Sequence, residues 1–152
     1  MFTLRTLITT TAATGLLLSL AGLPAAALQN DRSKDDEARR PKIRLRGQPQ
    51  VSIAPARVTF TAELQGGADD FEEYYCAAVE WEWGDDTSSE STIDCDPYEA
   101  GKSQIKRRYT VQHQFRRPGS YKVYFHLKNK DRILGSGTTT VVVQPGADSG
   151  PF

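Results

Sequence analysis

The sequence has no apolar run long enough to cross a membrane. Its strongest, from Gly15 to Leu23, falls well short of the roughly 20 residues a spanning helix needs. It has no basic surplus either: 19 Lys and Arg stand against 19 Asp and Glu, which argues against a dedicated nucleic-acid binder. His113 and His126 are the only histidines, and no H-E-x-x-H, H-x-x-E-H or cysteine–histidine cluster exists, so no zinc site is expected. Serines are plentiful after Gly84, but no G-x-S-x-G elbow is present. No catalytic constellation emerges, and the chain is not expected to be an enzyme. No internal repeat and no convincing helix is visible.

What is present begins with a leader. Arg5 is its only charge, the apolar stretch follows, and Pro24-Ala25-Ala26-Ala27 closes on small residues. Positive region, apolar region and A-x-A-type site predict a signal peptide over residues 1–27, cleaved after Ala27. No cysteine lies near that point to take a lipid, and the leader has no twin-arginine pair. Loss of Arg5 leaves the mature chain with a net charge near −1. The implied destination is secreted, or periplasmic or cell-surface, with no stable membrane span once the leader is gone. Cys76 and Cys95 are the only cysteines, and an even count in an oxidising compartment predicts a disulfide.

Residues 28–48 are charge-dominated and poor in apolar side chains, acidic at first and then basic from Arg39 to Arg46. Such a segment buries too little surface to offset its ordering entropy, which predicts a disordered charged linker. Its basic half suits an anionic surface, although the adjoining opposite charges favour a solvated tether. From 49 to 144 the pattern is β. Val58, Phe60, Ala62 and Leu64 alternate with polar residues; so do Tyr109, Val111, His113 and Phe115, and then Tyr121, Val123, Phe125 and Leu127. Val51 and Ile53 form a short first strand, and Thr138 to Val143 a last one. Trp81 and Trp83 project to one side of a central strand that runs into the turn Gly84-Asp85-Asp86. Gly84 permits a conformation other residues resist, and Asp85 can bond neighbouring amides. Alternation places His113 on the apolar face, as a structural hydrogen-bonding residue, and His126 on the outward one. About seven short strands separated by turns predict an all-β sandwich, with residues 145–152 as a disordered tail.

Three stretches in this order resemble a PKD (polycystic kidney disease) domain, an immunoglobulin-like sandwich. Trp81-Glu82-Trp83-Gly84-Asp85-Asp86 is similar to the family's W-D-F-G-D-G signature. His113-Gln114-Phe115 followed by Pro118-Gly119-Ser120-Tyr121-Lys122-Val123 is similar to H-x-Y-x-x-P-G-x-Y-x-V, and Thr138 to Val143 to the closing T-x-x-V-x-V strand. Asp86 replaces the second glycine and Phe115 a tyrosine, and the segments 69–76 and 87–106 are longer than a minimal member needs. The resemblance implies a core role for Trp81 between the sheets and a tyrosine corner at Tyr121. It also implies a non-catalytic module for protein–protein or protein–surface contact.

The expected contact surface is the irregular loop 87–106, pinned by the disulfide, with Tyr98 as an aromatic anchor and Lys102 and Lys106 beside it. The partner is a protein or a cell-surface polymer, not nucleic acid. Alternatives are a carbohydrate-binding accessory protein that stacks sugars on Tyr74, Tyr75 and Tyr98, or a structural spacer. No cofactor is expected. Calcium is the one metal the acidic loops suggest, drawn to Asp94 and Asp96 if the disulfide gathers them with Asp69, Asp70, Glu72 and Glu73.

Overall fold

A computed structural model describes residues 34–146. The leader and the first six residues of the expected linker lie outside the described residues, as does the tail from 147 onward. Eight strands follow in order: β1 (Lys42–Gln48), β2 (Val51–Ile53), β3 (Ala56–Gln65), β4 (Ala78–Glu82), β5 (Ser88–Ser91), β6 (Arg108–Phe115), β7 (Gly119–Asn129) and β8 (Arg132–Gln144). They form two sheets, ordered β1-β3-β6 and β2-β8-β7-β4-β5. All pairings are antiparallel except β2 with β8. This is the β-sandwich that the strand pattern predicts, of the immunoglobulin-like kind that the family resemblance implies.

Each long strand turns its apolar positions inward. Val58, Phe60 and Ala62 of β3, Phe115 of β6, Val123, Phe125 and Leu127 of β7 and Val141 of β8 are all fully buried. Each buried Val, Leu or Phe side chain contributes roughly 1.5–3 kcal/mol relative to exposure. Trp81 and Trp83 lie in the middle of this layer, 5 % and 3 % exposed. Their rings stack 5.5 Å apart and nearly parallel, at 4°. Trp81 meets Phe125 edge-on at 4.7 Å, and Trp83 meets Phe60 of the opposite sheet at 5.5 Å.

The basic half of the expected linker is not disordered. Lys42–Gln48 is a strand paired along its whole length with β3, and residues 34–39 are helical. Ile43, Leu45 and Gly47 face inward between Lys42, Arg44, Arg46 and Gln48, so a period-two pattern lies beneath the charge. At Gly47 a Cβ would come within 2.7 Å of Val141 and 2.8 Å of Phe60, so no larger residue fits where β1 crosses the core. Upstream, Arg40 donates to Glu73 at 2.7 Å and to the Leu134 carbonyl at 3.1 Å, fastening the entering chain to the sandwich.

Ser88–Ser91 lies within the stretch expected to be irregular, yet it pairs with β4 as an edge strand. All four of its side chains are exposed. His126 does lie on the outer side of its sheet, but it is 8 % exposed, beside the Tyr124 ring at 6.0 Å and Glu82 at 3.5 Å. Tyr124 on the same strand and Glu82 on the neighbouring one lie against it, which alternation does not report.

Replacing Trp81 with Ala should cost about 3–5 kcal/mol in urea unfolding, because the void opens inside the aromatic layer. The exposed strand substitution Thr110→Ala should stay within about 0.5 kcal/mol.

Candidate functional site

Two features stand apart from the core: the loop between β5 and β6, and a cleft beside the Trp83 turn. In the loop, residues 92–104 are exposed except for the half-buried Tyr98 and Ser103. It is tied to the segment before β4 at several points. Cys76 and Cys95 form a disulfide with their Cα atoms 6.0 Å apart. Tyr75 donates to the Asp96 carbonyl at 3.0 Å, and Tyr98 to the Asp70 carbonyl at 2.8 Å. The Ile105 amide donates to the Asp69 carbonyl at 2.8 Å, and its side chain is buried. Arg107 pairs with Asp69 and donates to the Leu64 and Gly66 carbonyls at 3.1 and 2.8 Å.

Tyr98 is therefore a post within the loop, not a free anchor. Its phenol pKa is raised by burial and by the negative charges of Asp70 and Glu72. Its ring meets Tyr75 edge-on at 5.5 Å. Tyr74 is only 3 % exposed and packs on Phe71 at 5.1 Å, so it offers no platform for a sugar. Lys102 pairs locally with Glu99 at 2.6 Å, and Lys106 lies 4.9 Å over the Tyr109 ring. Ile93, 42 % exposed, is the apolar side chain that the loop presents to solvent.

Three of the six carboxylates near the disulfide have arginine partners. Asp69 is held by Arg107, Asp70 by Arg39 at 3.1 Å, and Glu73 by Arg40 and Arg132. Among the described residues no three Asp, Glu, His or Cys side chains group so as to hold a metal ion.

The second feature begins at Gly84, which has φ +75°; a Cβ there would lie 2.6 Å from the Lys122 carbonyl. The turn closes with the Trp83 amide donating to the Thr87 carbonyl at 3.0 Å. It directs Asp85 toward β6, where Asp85 Oδ2 meets His113 Nε2 at 2.8 Å. The His113 ring lies parallel to Trp83 at 4.3 Å and edge-on to Phe115 at 4.8 Å. Phe115 stacks in turn on Tyr121 at 4.2 Å, and the Tyr121 hydroxyl donates to the Arg117 carbonyl at 2.7 Å. Pro118 and Gly119 turn the chain between these two aromatics. A shallow cleft of about 430 Å³ opens here, with Arg116 and Arg117 at its rim. Motif order marked Asp85 and His113 separately, but nothing in a 28-residue separation announced their contact.

Partial burial alone would raise the Asp85 pKa, but hydrogen bonds from Thr87 and His113 outweigh it and hold the carboxyl below its ordinary value of 3.8. The Thr87 hydroxyl donates to Asp85 and not to His113.

The PKD domain family model matches residues 42–144, from the first residue of β1 to the last of β8. The chain belongs to the PKD domain family. This is a family of non-catalytic binding and structural modules, generally engaged in protein–protein or adhesion contacts. Among solved structures, the PKD domain of a peptidase from a Thermoplasmatales archaeon is 14 % identical with a TM-score of 0.46, over 69 % of this chain and 96 % of that one. The CARDB domain of a Pyrococcus furiosus protein is 11 % identical with a TM-score of 0.43, over 71 % and 97 %. A superoxide reductase from Ignicoccus hospitalis is 12 % identical with a TM-score of 0.40, over 81 % and 92 %. No curated protein matches the chain. Among the described residues no helix is long and apolar enough to cross a membrane.

The depressed Asp85 pKa sets the sign of a pH effect. Its contribution is present above the unfolded pKa and is lost as pH falls through the folded one. Asp85→Asn should therefore lower Tm at pH 6, and its gap to the wild type should narrow steadily toward pH 3. A gap independent of pH would show that the carboxylate charge is irrelevant.

Proposed function

We infer that the chain is an exported, non-catalytic recognition module that contacts a protein or cell-surface polymer through the loop before β6. The observation that carries this reading is the combination of exposure and fixation in residues 92–104. A long loop costs entropy to order on binding, and one already fastened to the domain has much of that cost removed. The disulfide and the two tyrosine hydroxyl bonds supply the fastening. Export agrees with the disulfide, because such bonds persist in oxidising compartments. Ile93 is the apolar contact we assign to the partner, with Lys102 as a charge beside it. The Asp85–His113 pair serves the fold.

Cross-linking in envelope extract from the source cell, with a photoreactive group placed at Thr92, tests the reading. A discrete adduct should form with the wild type and be lost in the Ile93→Glu, Lys102→Glu double variant, while Tm stays within a few degrees. An adduct that survives the double variant places contact elsewhere. In the Cys76→Ser, Cys95→Ser variant the fold should weaken by about 3 kcal/mol in urea, and the adduct yield measured at a temperature where the variant is still folded should fall.

A further inference from the structure

The outer face of the three-stranded sheet carries a charge asymmetry. Registers place Arg44, Glu63 and Arg108 in one row across β1, β3 and β6, with Lys42 and Arg46 in the rows on either side and Arg57 farther along β3, opposite Gln114. Five cations against one carboxylate leave this face with about four positive charges. Glu63 is shared between Arg108 at 2.6 Å and Arg46 at 3.8 Å. Lys42, Arg44 and Arg57 have no ion-pair partner among the described residues. Elsewhere Arg39, Arg40, Arg107, Arg132, Lys102 and Lys128 each have a carboxylate within 4 Å. Protection of a sheet edge accounts for Lys and Arg on β1 or β6. It does not by itself require three cations at consecutive outward positions of β1, Lys42, Arg44 and Arg46.

The face has further organisation. Beside β1, an edge strand, runs an open groove of about 570 Å³ lined by Arg44, Arg46, Gln48, Gln50 and Thr139 among others. Lys42, Arg44 and Arg46 stand at alternate residues, so their side chains repeat roughly every 7 Å along the strand. Phosphates joined through a three-carbon polyol are six bonds apart. That is also roughly 7 Å when extended, on the bond lengths that give three backbone bonds about 3.6 Å. Guanidinium groups match phosphate oxygens with paired hydrogen bonds. No aromatic ring lines the groove or occupies an outward position of the three strands. The face therefore lacks the stacking platforms on which single-stranded nucleic acids are held.

We propose that this face is a docking surface for a linear polyol-phosphate polymer, which lies along β1 with successive phosphates on Lys42, Arg44 and Arg46. The surface is separate from the loop before β6, so it does not depend on the contact assigned to that loop.

Retention of the full mature chain on immobilised synthetic poly(glycerol phosphate) tests the proposal, with polygalacturonate and oligo-dT of equal charge count as comparison probes. Three phosphate contacts should give a log–log salt slope of about −2, or roughly 16-fold weaker binding between 50 and 200 mM salt. The Arg44→Gln, Arg46→Gln variant should bind at least tenfold more weakly with unchanged Tm, and Arg57→Gln should weaken binding by a smaller factor. Lys130→Glu, on the β7–β8 turn, should bind as the wild type does, as should Ile93→Glu in the loop. Three results would overturn the proposal. They are no retention at 50 mM salt, equal or tighter binding to oligo-dT or polygalacturonate, and retention that survives loss of Arg44 and Arg46. Should the double variant unfold, Lys42→Gln, which must also weaken retention, and the salt slope decide the matter.

Discussion

The sandwich depends on a stack of three parallel rings. Trp81 and Trp83 come from one sheet and His113 from the other, and at 4.3–5.5 Å centroid spacing they form a continuous column across the core. Hydrophobic burial presses the sheets together without fixing how they lie. Flat rings in contact do fix it, because aromatic pairs have preferred offsets and tilts. Asp85 then closes the column from the turn by holding His113. That bond explains why the turn needs Gly84, since only a residue without a Cβ lets the chain pass the Lys122 carbonyl and aim Asp85 at β6. From His113 the contacts continue through Phe115 to Tyr121, so the turn before β7 is held by the same chain of rings.

With the core so determined, function moves to surfaces that the core does not use. The molecule sorts its charges unevenly. Arg39, Arg40, Arg107 and Arg132 are each matched to a carboxylate of the segment 69–73, and these pairs fasten that segment to its neighbours. Exposed pairs of this kind add little stability each, about 0–1 kcal/mol, so their value lies in position. On the five-stranded face Lys128 is likewise matched to Glu80 at 3.0 Å. The three-stranded face carries five cations against Glu63, and its surplus is hidden in a chain whose overall charge is near zero. A net charge describes solubility and long-range attraction, not what any single face presents.

Membership of the PKD family places the chain among modules generally engaged in protein–protein or adhesion contacts and leaves the partner to the details of the chain. Here those details are the long loop, the disulfide that ties it, and the basic outward residues of the first strand. The loop and its tie lie toward one end of the strands, and the basic strand lies on the outside of one sheet. One small domain thus offers two chemically different faces, one carrying Ile93 on a fixed loop and one flat and cationic.

Much of this was legible in the residues. Alternation of apolar and polar side chains marked β3, β4, β6 and β7, because a strand buried on one side imposes a period of two on its own sequence. The order of motifs was sufficient for the family and the turn at Gly84. Strand β1 escaped because only Ile43 and Leu45 carry its apolar signal, and dense charge on the other face read as disorder. Strand β5 escaped for a different reason: Ser88-Ser89-Glu90-Ser91 buries nothing, and it is a strand only because β4 supplies hydrogen-bonding partners. Tyr74 and Tyr98 looked alike as aromatics in polar surroundings, yet one entered the core and the other bonded a distant carbonyl. The sequence by itself determined which residues seek the interior and which turns the chain can make, since both are properties of near neighbours. Only the tertiary structure decided that Asp85 meets His113 and that five cations share one face. Those contacts join residues far apart in the chain, and their existence follows from sheet register, which no local pattern encodes.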